Sequence, residues 1–119
     1  MTVQSYKDLI AWQKSIDLVA EIYEATKVFP KDEIYALTNQ LRRSAVSVPS
    51  NIAEGQGRFS TNEFKHFLGN ARGSLFEVQT QIVIAARLGY VSQQNADVLL
   101  ERSAEVARIL HGLVASLER

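Results

Sequence analysis

Residues 61–88, TNEFKHFLGNARGSLFEVQTQIVIAARL, place Phe64, Leu68, Ala71, Leu75, Val78, Ile82 and Ala85 at alternating steps of four and three. That rhythm lines one face of an α-helix, and over seven positions a strand, with its period of two, cannot reproduce it. Ser60 followed by Glu63 forms a capping box that can satisfy orphan amides at the start, and Gly89-Tyr90 ends the run. A helix over about Thr61–Leu88 is therefore expected.

Upstream, Leu9, Trp12, Ile16, Val19 and Tyr23 recur at the same spacing and predict a helix from Lys7 to about Val28. Phe29-Pro30 stops it, because proline disfavours α geometry in the residue before it. Asp32 and Glu33 put negative charge where the next helix dipole begins. That helix is expected over about Asp32–Gly55, with a core row of Ile34, Leu37, Leu41, Ala45, Val48 and Ile52, and Gly55 and Gly57 supply its stop. Downstream, Ser92 can cap a fourth helix whose row is Ala96, Leu99, Ser103, Val106, Leu110, Leu113 and Leu117. Short connections make neighbouring helices antiparallel. The sequence thus specifies an all-α protein, an antiparallel up-down-up-down four-helix bundle forming one domain over residues 1–119.

Thirteen Lys and Arg balance thirteen Asp and Glu, so no global field draws the chain to nucleic acid or membrane. The absence of cysteine removes disulfides, thiolate zinc sites and cysteine nucleophiles, and suits a reducing cytosol. Lys7, Asp8 and Lys14 deny the first fifteen residues the apolar centre of a signal peptide, and no apolar run approaches the ~20 residues a bilayer span needs. A cytoplasmic protein without membrane association is expected.

The helices carry more apolar surface than one bundle uses. The first has a second row, Ala11, Leu18, Ile22, Ala25 and Phe29, and the fourth has Leu100, Ala104, Ala107 and Val114. These rows either widen the core or join subunits. Gly69 and Gly73 each cost ~1 kcal/mol relative to alanine inside a helix, which points to close approach of another helix, in the same subunit or the next. Phe76 and Val83 extend that face.

Residues 40–58, QLRRSAVSVPSNIAEGQGR, hold a double arginine and a mid-helix proline. Arg43 falls ~200° from Leu41 and turns outward, with Arg42 at the flank. Pro49 cannot donate to the carbonyl of Ala45, so a bend is expected, with Ser47 and Ser50 able to serve freed backbone groups. Pro49, Asn51 and Glu54, together with Gly69, Gly73 and Phe76, are the candidate subunit interface. From Lys31 to Arg72 six basic residues face four acidic ones. Arg42, Arg43, Arg58, Lys65 and Arg72 are the candidate contacts to RNA, DNA or a protein partner, since a modest stripe repeated around a ring becomes a phosphate-binding surface. The competing reading has these arginines paired to Glu54, Glu63 or Glu77 at subunit contacts.

Catalytic patterns are incomplete. Glu63 and His66 supply half of the paired Glu-x-x-His pattern of di-iron bundles, and His111, the other histidine, has Arg108 at the matching position. The glycines of Gly55-Gln56-Gly57 lack the spacing of a phosphate loop and follow a helix rather than a strand. No cofactor, metal or catalytic residue is assigned.

Tyr6-Lys7-Asp8-Leu9 with Trp12, Phe29-Pro30, Tyr35-x-Leu37-Thr38-x-Gln40-Leu41-Arg42-Arg43, and Ser47-Val48-Pro49-x-Asn51-Ile52-Ala53-Glu54-Gly55 with Arg58 stand in fixed order. Phe64, Phe67-Leu68, Ala71, Gly73-Ser74 and Glu77 follow. In these the chain resembles the four-helix bundle family encoded in intervening sequences of 23S ribosomal RNA genes. The resemblance implies a ring-shaped homopentamer with no established enzymatic activity. It extends to the accessory variability protein of diversity-generating retroelements, a basic pentamer acting with a reverse transcriptase and nucleic acid, from which this chain departs in its balanced charge. The leading expectation is a non-enzymatic, homopentameric scaffold. A nucleic-acid-binding accessory factor is the alternative, and a metal-dependent bundle enzyme comes third.

Overall fold

The computed structural model describes residues 5–119, so the first four residues of the expected 1–119 domain lie outside it. Four helices succeed one another: α1 (Ile10–Thr26), α2 (Leu37–Gln56), α3 (Thr61–Arg87) and α4 (Gln93–Leu117), with 3-10 turns at Tyr6–Asp8 and Lys31–Glu33. Among the described residues there is no strand. Each helix packs on the next and α4 closes back on α1, so the four stand in a square with antiparallel neighbours, about 44 × 25 × 19 Å overall. The interior is filled by aliphatic side chains from all four, among them Ile22, Leu41, Ile52, Leu75, Ile82 and Leu110.

The helix ends follow from local chemistry. Ser60 Oγ accepts from the Glu63 amide and Ser92 Oγ from the Asn95 amide, each at 3.1 Å. The start of the chain carries an unexpected box: Ser5 Oγ accepts from the Lys7 amide while the Asp8 carboxylate accepts from the Ser5 amide. After α3, Gly89 adopts φ +79°. Its amide donates to the Ala86 carbonyl and the Tyr90 amide to the Ala85 carbonyl, which is the paired bonding of a Schellman stop.

Helix α2 departs from expectation at both ends. It starts at Leu37 rather than Asp32, because Lys31–Glu33 closes a separate 3-10 turn and Ala36 breaks the path at φ −123°, ψ −110°. Ile34 therefore leaves the core row and is exposed. The Glu33 carboxylate, just outside the helix, accepts from the Leu37 amide at 3.3 Å and from the Tyr90 hydroxyl at 2.7 Å. At the other end Gly55 is no stop but a buried helical residue, and Gly57 is the C-cap. A Cβ at Gly55 would lie 2.6 Å from Phe67 Cβ and 3.0 Å from Phe64 Cδ1. Its bare backbone is what seats α3 on α2.

Pro49 does not interrupt the helix. The Ser50 hydroxyl donates to the Val46 carbonyl at 2.9 Å and Asn51 Nδ2 to the Ser47 carbonyl at 2.8 Å. The Ser47 hydroxyl instead meets Ser74 Oγ on α3 at 2.8 Å. Side chains thus tie the turn around the proline from outside.

On α1 the two apolar rows exchange roles. Ala11, Ser15, Leu18, Ile22 and Thr26 are buried, while Ile16 and Tyr23 are exposed and Trp12 and Val19 half-buried. Aliphatic and small residues go inside, and the amphipathic rings of Trp12 and Tyr23 take the boundary. On α4 the expected row from Ala96 to Leu110 is buried, and Leu100, Ala107 and Val114 pack against it, so that second row widens the core.

Gly55→Ala crowds Phe64 and Phe67 and lowers unfolding free energy by about 1–2 kcal/mol in urea titration, whereas Gly112→Ala, with nothing within 4 Å of its added carbon, raises it by about 0.5–1 kcal/mol. The hydrogen bond to Glu33, helped by burial and the nearby carboxylate charges, raises the Tyr90 ionisation above its ordinary 10.0. The folded chain therefore holds the proton more tightly than the unfolded one, and the stabilisation is whole below the unfolded value and lost as pH climbs through the folded value. Tyr90→Phe should lower the thermal midpoint at neutral pH, with the gap to the unaltered protein closing in strongly alkaline buffer.

Candidate functional site

The side of the square formed by α1 and α2 is an open groove of about 290 Å³. The turn before α1 and α1 itself contribute Tyr6, Trp12, Ile16 and Val19; α2 contributes Val46, Pro49, Ser50 and Ala53. Not one of these side chains is charged. Tyr6 and Trp12 meet edge to face at 5.3 Å between ring centroids, which fixes the indole at the groove's end. Ile16 and Val46 are 40% and 39% exposed, apolar area that the monomer leaves in water. Pro49 lies on this floor, since it is buried and lines the groove.

The opposite side, between α3 and α4, carries two shallow hollows. One of about 200 Å³ is lined by Lys65, Leu68, Gly69 and Arg72 of α3 and by Leu110, His111 and Val114 of α4. The other, about 270 Å³, lies by Val83, Arg87 and Leu100. Phe76, seven residues from both Gly69 and Val83, falls on the same stripe of α3 and is 44% exposed. Apart from its chain neighbours and the backbone of its own helix, no described atom lies within 4 Å of a Cβ built at Gly69 or Gly73, so close approach of another helix inside the subunit does not explain these glycines.

The five candidate contact cations do not share a surface. Arg42 turns to α1, where its Nε donates to Thr26 Oγ1 at 2.8 Å and its guanidinium lies 4.7 Å from the Tyr23 ring centroid. Arg58 pairs with Glu54 at 3.3 Å and covers Phe67 at 4.6 Å. Lys65 pairs with Glu118 at 3.4 Å, and Arg72 lies over Phe76 at 5.0 Å. Arg43 is exposed. Three arginines are thus drawn to aromatic faces of their own chain: Arg42–Tyr23 joins α2 to α1 and Arg58–Phe67 joins the α2–α3 turn to α3, pairs that no local pattern shows, whereas Arg72–Phe76 is an i, i+4 pair readable on α3.

The candidate interface residues divide as well. Pro49 belongs to the α1/α2 groove. Asn51 sits in the Ser47–Ser74 network on the α2/α3 side, and Glu54 is paired with Arg58. Gly69 and Phe76 are on the α3/α4 side, and Gly73 is exposed on α3. Sequence reading missed the groove as such, because it assigned Trp12, Ile16 and Val19 to the core. Glu63 and His66 are both exposed, and the His66 ring stands 5.7 Å from Phe67. Among the described residues no three His, Cys, Asp or Glu side chains gather closely enough to hold a metal ion. Among the described residues no helix is long and apolar enough to cross a membrane.

These features define an all-α four-helix protein with an uncharged apolar groove on one side and a cation-edged apolar seam on the other. By sequence, residues 7–112 match the family described as 23S rRNA-intervening sequence protein. The chain belongs to that family. It is similar in fold to the crystal structure of a protein of unknown function from the S23 ribosomal protein family of Bacteroides thetaiotaomicron, with a TM-score of 0.79 and 19% sequence identity, covering 88% of this chain and 98% of the other. A search of curated proteins finds no match.

The contacts of the double arginine separate its two members. Arg42→Ala removes a half-buried hydrogen bond and a stacked guanidinium and should lower stability by about 1–2 kcal/mol. Arg43→Ala should stay within about 0.5 kcal/mol of the unaltered chain in the same urea titration.

Proposed function

We propose that the protein is a non-enzymatic, cytoplasmic scaffold that works as a homo-oligomer, most simply the pentameric ring that the family resemblance implies. The observation that carries this reading is the α1/α2 groove: Trp12, Ile16, Val19, Val46 and Pro49 form an uncharged apolar surface with no helix of the described residues over it. Burying such a surface against another copy stabilises by roughly 25 cal/mol for each Å² removed from water. Net charge zero means that copies approach without overall repulsion. The reading of the chain as an accessory factor for nucleic acid has less behind it, because Arg42, Arg58, Lys65 and Arg72 are engaged within the chain and only Lys65 and Arg72 share a side.

Light scattering coupled to size exclusion tests the reading. Five chains of 13.3 kDa give a particle of about 66 kDa. Ile16→Glu, at an exposed position that leaves the core intact, should convert this particle to a folded 13.3 kDa monomer. A folded monomer for the unaltered chain at micromolar concentration would refute self-assembly.

A further inference from the structure

We infer that the hollow between α3 and α4 beside Gly69 is a binding site for a small amphiphilic carboxylate, an apolar body carrying a single negative charge. Its floor is apolar: Leu68 and Leu110 are buried, and Val114 packs beside them. Around that floor stand three side chains with nitrogen donors, Lys65 and Arg72 on α3 and His111 on α4. An apolar recess edged by a few convergent polar groups is the form that small-molecule sites take.

These donors are still free to take a ligand. Arg72 makes no hydrogen bond or ion pair among the described residues; its contact is with the Phe76 ring, 5.0 Å from the guanidinium. Stacking occupies the face of the guanidinium and leaves its in-plane N–H groups to meet a carboxylate, while limiting the rotamers the side chain explores. His111 likewise has no hydrogen-bond partner among the described residues. Lys65 donates to Glu118 at 3.4 Å, but with side chains 33% and 57% exposed that pair is weak and exchangeable.

Charge and size select the ligand class. Lys65 and Arg72 against Glu118 leave one positive charge at the hollow. A carboxylate balances it, whereas a phosphate monoester, at about −1.5 to −2, exceeds it. The volume of about 200 Å³ lies below the ~300–1,000 Å³ of sites for drug-sized ligands, so the apolar body is a short chain or a single ring. Gly69 helps to keep that room: it lines the hollow, and a Cβ there meets no side chain and no other helix within 4 Å. The helix stability that a glycine gives up thereby acquires a cause, since a larger side chain would take the ligand's place.

Calorimetric titration of the unaltered protein, in whatever oligomeric state it adopts, tests the site with octanoate as the probe. Octanoate should bind saturably, one per chain, with Kd of about 1 mM or tighter. Octanol has the chain without the charge and acetate the charge without the chain, and each should bind at least about tenfold more weakly. Arg72→Gln should weaken octanoate about tenfold and leave octanol unchanged, a split that a merely structural arginine would not produce. Gly69→Leu should abolish binding of both while raising the thermal midpoint. Glu118→Gln, which releases Lys65, should strengthen octanoate about threefold. Absence of saturable octanoate binding, octanol binding as tightly as octanoate, or full octanoate affinity in both Arg72→Gln and Gly69→Leu would each overturn the assignment.

Discussion

The bare backbone at Gly55 governs how the rest of the bundle is arranged. With no side chain there, α2 lies against Phe64 and Phe67 so closely that any Cβ would sit 2.6 Å from Phe67 Cβ. This contact is next to the α2–α3 turn, where a small change in separation is carried along two long helices. Farther along the same helix pair the Ser47 and Ser74 hydroxyls meet at 2.8 Å, again a contact that small side chains allow. The α2–α3 pair is thereby held close along its length, and α1 and α4 close the square around it. The open groove and the seam are consequences, since they are the two flanks that this close pair leaves to its neighbours.

Helix identity was legible because it depends on spacing, and the spacing in α3 and α4 is unambiguous. Which of two adjacent apolar rows faces inward was not legible on α1. Both rows have the right period, and the decision lies in side-chain character. Leu18 and Ile22 have no polar atom to keep wet, whereas the indole of Trp12 and the phenol of Tyr23 favour an edge. The start of α2 was misplaced for a different reason. Asp32 and Glu33 look like the first turn of a helix, but the Glu33 carboxylate serves the Leu37 amide and the Tyr90 hydroxyl, and Tyr90 is 57 residues away in sequence. No local pattern contains that partner.

The basic residues of the segment from Lys31 to Arg72 show why a count of charges is a poor guide to a binding surface. A surplus of cations in sequence becomes a field only if their side chains project together. Here helical geometry sends Arg42 to α1 and Lys65 and Arg72 toward α4, and three arginines come to rest on rings that lie within their reach. Such a guanidinium both covers apolar surface and keeps polar edges in water. The arginines of this chain are therefore part of the packing as much as of the electrostatics.

Glycine has two physical roles here, and only the surroundings tell them apart. Gly55 is needed because atoms of the same chain already occupy the space a side chain would take. Gly69 and Gly73 meet nothing within 4 Å, yet each weakens its helix relative to alanine by about 1 kcal/mol. A helix as regular as α3 tolerates that cost twice, four residues apart, without any internal contact to offset it. Nothing that a side chain at either position would meet in the described chain explains that cost, whereas at Gly55 the close packing does. The same bare backbone thus lets two helices of one chain come near at Gly55 and leaves open surface at Gly69 and Gly73 on α3.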